Sequence, residues 1–202
     1  MREIDFRNMN KPEQMSTDYD IAIAGGGMVG TALACALGRE GFRVVVIEGR
    51  EPQRKWPVEE IDLRVSALTR ASQNILDNLG AWPRMAQLRI SPYQCMEVWD
   101  AGSSGRIRFD CADIGEANLG HIVENRITQL ALWEVMERID NIDIVCPARV
   151  EAMDLPQHTL TLDDGRSISA ALIVGADGRD SHIRQMAGID TRGWSYNQHA
   201  LV

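Results

Sequence analysis

The chain has 202 residues, 45% of them hydrophobic and 25% charged, which is enough for one good core or one and a half small domains. A net charge of −8 and a pI near 5 exclude a nucleic-acid surface, which needs a basic face. Cys35, Cys95, Cys111 and Cys146 are scattered without a C-x-x-C pair, as are His121, His158, His182 and His199. That spacing argues against a disulfide framework or a metal site and fits a reducing cytoplasm.

Residues 1–17 are polar and patternless and read as a disordered leader. Ile21-Ala22-Ile23-Ala24 then reads as a short buried strand, followed by Gly25-Gly26-Gly27-Met28-Val29-Gly30 and a helix-forming run from Thr31 to Leu37. Glycines at 25, 27 and 30 match G-x-G-x-x-G, and each has a task. Gly25 permits the tight turn, Gly27 lets backbone approach a pyrophosphate, and Gly30 lets the helix pack against the strand. The N–H groups at the helix start, including those of Met28 and Val29, hold phosphate. A second strand, Arg43 to Ile47, delivers Glu48, 18 residues past Gly30. A carboxylate there accepts both hydroxyls of an adenosine ribose and repels a 2′-phosphate, which argues against NADP at this site. Ile21 to Gly38 is an 18-residue run without a charge. The acidic Asp18 and Asp20 before it and the three glycines inside it argue against a signal peptide or membrane span.

Glu51 to Glu60 reads as a polar loop with an exposed Arg54-Lys55-Trp56, and Thr69 to Leu79 as a helix. That helix puts Ile75, Leu76 and Leu79 on its apolar face and stops at Gly80. Tyr93 to Asp110 reads as a hairpin across Ala101-Gly102-Ser103-Ser104-Gly105, the start of a second, sheet-based domain. Asn125 to Arg138 is a helix and Ile142 to Val145 a parallel strand. Two short strands meet at the Asp163-Asp164-Gly165 turn, and Ala171 to Val174 reads as a buried strand. After Gly188 the chain re-enters the second domain at Trp194-Ser195-Tyr196 and reaches a strand at Ala200-Leu201-Val202.

A second motif, Gly175-Ala176-Asp177-Gly178-Arg179-Asp180-Ser181-His182-Ile183-Arg184, is again a strand that stops on glycine and passes to a short helix. Asp177 in such a turn accepts hydrogen bonds from a ribose or from backbone N–H groups. By itself the stretch is equally an ordinary strand-to-helix turn.

Together the two motifs resemble the para-hydroxybenzoate hydroxylase-like FAD monooxygenases, which carry G-x-G-x-x-G and a later G-A-D-G-x-x-S-x-x-R, matched here by residues 175–178, Ser181 and Arg184. Leu63-Arg64-Val65-Ser66-Ala67-Leu68, Met96 to Asp100, Leu119 to Asn125, Ala131-Leu132-Trp133 and Arg184 to Ile189 narrow the resemblance to the ubiquinone-biosynthesis hydroxylases, over residues 18 to 202.

The resemblance implies an α/β fold: a Rossmann-like FAD-binding domain with an inserted β-sheet substrate domain, incomplete at its C-terminal end. The first would comprise residues 18–92 and 111–190, and the second residues 93–110 and 191–202. It implies FAD held by Gly25, Gly27, Met28, Val29, Gly30 and Glu48. Arg64 would lie beside the cofactor, Asn125 on its flavin side, and Asp177 and Gly178 would serve FAD and a passing NADPH. NAD(P)H and O₂ would be co-substrates in hydroxylating the ring of a polyprenylated phenol or quinol, with no side chain acting as catalytic base and no metal. The runs match more than one branch of the family, so the ring carbon stays open. A ubiquinone-pathway protein complex, and a cytoplasmic location peripheral to the inner membrane, follow from the same resemblance.

Members of that family are nearly twice as long and carry a later Gly-Asp-Ala-x-His motif that does not occur here. The expectation is that these residues alone bind FAD weakly and catalyse little. Two other readings compete. A short-chain dehydrogenase needs Tyr-x-x-x-Lys, but Tyr93 is followed at that spacing by Glu97 and Tyr196 by Ala200. The other is a non-catalytic partner of the pathway's proteins, distinguished by co-purification without flavin.

Overall fold

The computed structural model describes residues 17–199. Most of the expected leader, and Ala200-Leu201-Val202, fall outside them. At the centre lie two strands with no polar side chain in their buried stretches, β1 (Tyr19–Ala24) and β2 (Val44–Ile47). They pair in parallel with Ile21 opposite Val44 and Ala24 opposite Ile47. Strands covered on both faces read as unbroken apolar runs, and here each face has its own cover. Ile21, Ile23, Val44 and Val46 pack under helices, whereas Ala22, Ala24, Val45 and Ile47 pack under the opposite layer. The uncharged run from Ile21 to Gly38 is thereby divided between β1 and a helix. Among the described residues no helix is long and apolar enough to cross a membrane.

The helix is α1 (Met28–Arg39). It lies against α4 (Asn125–Met136), which is buried nearly all round through Ile127, Leu130, Ala131, Leu132, Trp133 and Met136. Behind them sit α2 (Arg70–Asn78) and α3 (Trp82–Leu88). The Thr69 hydroxyl caps α2 by accepting from the Ser72 N–H, and Gly80 ends it with φ +79° while Ala81 N–H reaches back to the Leu76 carbonyl. Leu76 and Leu79 are buried as expected, but Ile75 is 58% exposed and turns away from the core.

The β-strands that follow form three sheets. β3 (Val65–Thr69), β4 (Ser91–Tyr93) and β7 (Gly120–Glu124) make an antiparallel sheet in the order β3-β7-β4, and β5 (Cys95–Trp99) pairs with β6 (Arg106–Asp110) as the expected hairpin. β8 (Ile142–Val145) adds in parallel to β2, as its sequence implied. β9 (Val150–Asp154), β10 (Thr159–Leu162) and β11 (Ser167–Gly175) form a meander. β11 leaves β10 after Ser169 and continues in parallel beside β1, giving the six-stranded order β8-β2-β1-β11-β10-β9. The last helix, α5 (His182–Met186), closes the second face through Ile183.

Three expectations need correction. Ala171 to Val174 is a strand but not a buried one. Ile173 and Val174 are half-buried against the two apolar layers, but Ala171 is exposed and Leu172 is 55% exposed. Trp194-Ser195-Tyr196 has no regular structure; its two aromatic rings pack edge-to-face on each other, 6.0 Å apart, and stay exposed. Trp56 is half-buried, packed on the core with the Arg126 guanidinium 4.6 Å over its ring.

Candidate cofactor site

The carboxyl ends of β1, β2 and β11 lie side by side, and the chain turns at each. Ala24 pairs with both Ile47 and Gly175, and the Ala176 N–H donates to the Ala24 carbonyl at 2.7 Å. This register brings the two glycine motifs into contact. Gly25 has φ +111°, a conformation that penalises any side chain, and a Cβ there would run into the Ala176 carbonyl and lie 2.8 Å from the Asp177 nitrogen. A Cβ on Gly30 would collide with the Gly25 carbonyl oxygen. Gly26, which the fingerprint does not count, is as restricted: a Cβ would come within 2.6 Å of the Trp133 ring. Gly27 differs from all three. Its φ of −70° is ordinary, and nothing lies within 4 Å of where a Cβ would be. The backbone at Gly27 is bare toward open space.

That space is a cavity of about 550 Å³ lined by Gly25, Gly27, Glu48, Asp177 and Gly178. The structure thus gathers five of the ten candidate residues at one cavity, and Met28, Val29 and Gly30 form the first turn of α1 beside it. Helix starts leave their first N–H groups without partners inside the helix, and α1 has neither a side-chain cap nor an acidic residue in its first turn. The result is a set of free donors with the positive end of the helix dipole behind them. Glu48 holds the loop as well as the cavity wall. Its Oε2 accepts the Gly26 N–H at 2.6 Å and its Oε1 the Arg50 N–H at 2.9 Å. Each oxygen keeps a second acceptor site for a ligand hydroxyl.

Asp177 takes the backbone alternative that its turn allows. Its Oδ1 accepts the Ser181 hydroxyl at 2.5 Å, and its Oδ2 accepts the N–H groups of His182 and Ile183. Burial opposes its charge, but these donors outweigh it and hold the carboxyl below its ordinary range. The carboxylate therefore ties α5 to the end of β11, and what faces the cavity is mainly the turn around it.

Arg64 and Asn125 do not line this cavity. They meet each other instead, where the Arg64 carbonyl accepts the Asn125 N–H at 2.9 Å and the Ser66 hydroxyl donates to Asn125 Oδ1 at 2.6 Å. Both sit where β3, β7 and the start of α4 converge. The segment carrying Arg64 is fixed by Glu124, which is 4% exposed. That carboxylate accepts the Asp62 N–H at 2.8 Å and pairs with Arg126 and Arg89, each at 2.7 Å. Burial raises the pKa of Glu124, but the Asp62 N–H and the two guanidiniums pull it net downward. His121 packs edge-to-face on Trp82 at 5.0 Å and makes no approach to the cavity lining.

The sequence left several lining residues unmarked: Arg50, Ala148, Arg149, Val150 and His182. Arg149 follows β8 at the same end of the sheet as Glu48, so extending the parallel-strand reading a few residues past Val145 would have found it. Among the described residues no three His, Cys, Asp or Glu side chains could hold a metal ion, and all four cysteines are free.

A parallel sheet that turns on glycine at two neighbouring strand ends, with free helix N–H groups and a carboxylate from the next strand, defines a dinucleotide-binding domain. The bare backbone at Gly27 and the paired acceptors of Glu48 fit the ADP half of such a cofactor. The chain belongs to the FAD binding domain family, which matches residues 18–201. FAD is accordingly its cofactor.

Among relatives, 3-demethoxyubiquinol 3-hydroxylase of Escherichia coli strain K12 is 39% identical over 187 residues, covering 91% of this chain and 47% of that protein. Ubiquinone hydroxylase UbiL of Rhodospirillum rubrum is 38% identical over 91% of this chain and 42% of its own length. The mitochondrial ubiquinone biosynthesis monooxygenase COQ6 of Xenopus tropicalis is 36% identical over 91% and 43%. The chain spans about half the length of the curated relatives it matches. Of solved structures, the tetrameric form of 2-methyl-3-hydroxypyridine-5-carboxylic acid oxygenase superposes with a TM-score of 0.64 at 27% identity, covering 83% of this chain and 42% of that one. PqsL from Pseudomonas aeruginosa, at 24% identity and a TM-score of 0.70 over 88% and 48%, shares the fold.

Proposed function

We propose that this chain is the FAD-holding part of a monooxygenase that hydroxylates the ring of a polyprenylated phenol or quinol in ubiquinone biosynthesis, using NAD(P)H and O₂. One observation carries the reading. The glycine turn after β1 and the Gly175–Gly178 turn after β11 are in contact across Gly25, with Glu48 beside them, so one cavity combines both family motifs. The names of the relatives supply the substrate class.

In this reading the N–H groups of Gly27, Met28, Val29 and Gly30 hold the pyrophosphate and Glu48 holds the adenosine ribose. The Asp177–Gly178 turn lies along the cofactor, and Arg64 and Asn125 face its flavin end. Bound FAD supplies the redox chemistry of oxygen transfer; the chain's own residues bind it, orient it and exclude water. Residues 18–92 and 111–190 make up the FAD-binding domain, and residues 93–110 and 191–202 belong to a substrate domain. An apolar polyprenyl substrate draws the protein to the periphery of the membrane and into contact with other proteins of the pathway.

Titrating FAD into the purified chain and following flavin fluorescence tests the site, with ADP as competitor. Quenching that ADP reverses is expected; NAD⁺ binding with no response to FAD would overturn the reading in favour of a dehydrogenase. Cells lacking the protein are expected to accumulate a quinone precursor short of one ring hydroxyl. An unchanged quinone profile would remove the pathway assignment.

A further inference from the structure

The pyrophosphate reading, on which this inference rests, needs the Gly27 N–H to point into the cavity, and a glycine-rich peptide does not choose that direction unaided. Flanked by glycines, the Gly26–Gly27 peptide has little side-chain bulk to oppose a flip of its plane. Two donors on the inner side choose it. The Gly26 carbonyl accepts the Thr31 hydroxyl at 3.0 Å, in a buried position, and the Gln129 Nε2 at 3.2 Å. A carbonyl oxygen is only an acceptor, so the Gln129 amide must face it with its nitrogen. In a trans peptide the C=O and the following N–H point in opposite directions. With the Gly26 oxygen tied inward, the Gly27 N–H is turned outward, toward the bare space that its missing Cβ leaves. On the other side, the Gly26 N–H is held by Glu48.

We infer that Gln129 is a positioning residue: from α4 it fixes the Gly26–Gly27 peptide so that the Gly27 N–H is aimed at the cofactor's pyrophosphate. Thr31 alone does not accomplish this independently of the rest of the fold, since it lies on the same helix that the loop begins. Gln129 comes from 103 residues away in sequence and ties the loop to a different element. It sits one helical turn after Asn125, about 6 Å along the axis, so one rigid helix links the phosphate loop to the junction of Arg64 and Asn125. Neither glycine fingerprint contains this residue.

The test is Gln129→Leu, which keeps the bulk and removes the donor, in chain labelled with ¹⁵N-glycine. The Gly27 amide signal is expected to move in the unliganded protein more than glycines far from the loop, such as Gly165. The dissociation constant for ADP is expected to rise about fivefold, the loss of one net hydrogen bond, with the melting temperature kept within about 2 °C. Thr31→Val, which removes the second donor, is expected to move the same amide. An unmoved Gly27 signal overturns the inference, and so does unchanged ADP binding by a variant whose parent binds ADP. A fall in melting temperature with all glycine signals shifting together marks a general packing role and overturns it too. A parent chain that binds neither ADP nor FAD removes the cofactor reading instead, and the Gly27 signal then still decides what Gln129 does.

Discussion

The glycines of one short loop have separable roles, and single substitutions can tell them apart. Gly30→Ala drives a methyl into the Gly25 carbonyl, which is backbone and cannot swing aside. Overpacking of that kind costs about 1–3 kcal/mol, so the urea midpoint is expected to fall. Gly27→Ala meets no neighbour and keeps an ordinary φ. It is expected to leave the urea midpoint in place while weakening ADP binding at least about tenfold, because the methyl occupies the approach to the pyrophosphate. Equal stability losses in both variants would contradict this division. Asp177 gives a pH-dependent counterpart. Its folded pKa is lowered, so its contribution is present above the unfolded value, about 3.9, and disappears as pH falls through the folded value. Asp177→Asn weakens the tie to α5 by about 1 kcal/mol at pH 7, screened because the side chain is exposed. Wild type and variant are expected to converge in stability below that range.

At the scale of elements, the junction of β7 and α4 is held by charge. Glu124 and Arg126 are both buried, and Glu124 also carries Arg89 and the Asp62 N–H. Removing one member of a buried pair is costly because the other is left uncompensated, about 3 kcal/mol or more. Glu124→Gln is therefore expected to lower stability by about that amount. It should also speed tryptic cleavage after the exposed Arg64, since the segment ahead of β3 loses its anchor. Cleavage at the wild-type rate would show the segment to be held by other contacts.

This junction was barely legible in the sequence, and the reason is physical. β1 and β2 announce themselves because they are buried on both faces, and α1 because a glycine turn precedes it. β3 alternates exposed and half-buried residues over only five positions, too short and too weak a pattern to read, and β4 contains Pro92. Both became visible only through what they pair with. α3 begins Trp82-Pro83, with proline in its first turn, but it is seven residues long and buries only Met85, so it offers no apolar stripe to read. For the site, Gly25, Gly27, Gly30 and Glu48 were legible because their spacing follows from one βαβ unit. Gln129 was not, because its contact with the loop depends on how α4 packs beside α1.

Across the whole molecule, stability is distributed unevenly. The six-stranded sheet buries β1 and β2 between two apolar layers. The β5–β6 hairpin has no such support: among the described residues it forms a sheet of its own. Its register puts Met96 opposite Phe109 and Val98 opposite Ile107, so four apolar side chains share one face, and all four are exposed. The other face carries the Glu97–Arg106 and Arg108–Asp110 ion pairs, exposed contacts of small worth. A two-stranded ribbon without further cover is marginal in water, whereas central strands open only when the domain unfolds. Hydrogen exchange of the isolated chain is therefore expected to show amides of Ile21 to Ala24 and Val44 to Ile47 exchanging only through global opening. Those of Cys95 to Asp110 are expected to exchange at least about a hundredfold faster, a difference of roughly 3 kcal/mol in opening free energy. Val98→Thr with Ile107→Thr makes the exposed face more polar and is expected to reduce binding of a hydrophobic dye without shifting the melting temperature. A hairpin as protected as β1 would mean that its apolar face is covered in solution, and the double variant would then destabilise the protein.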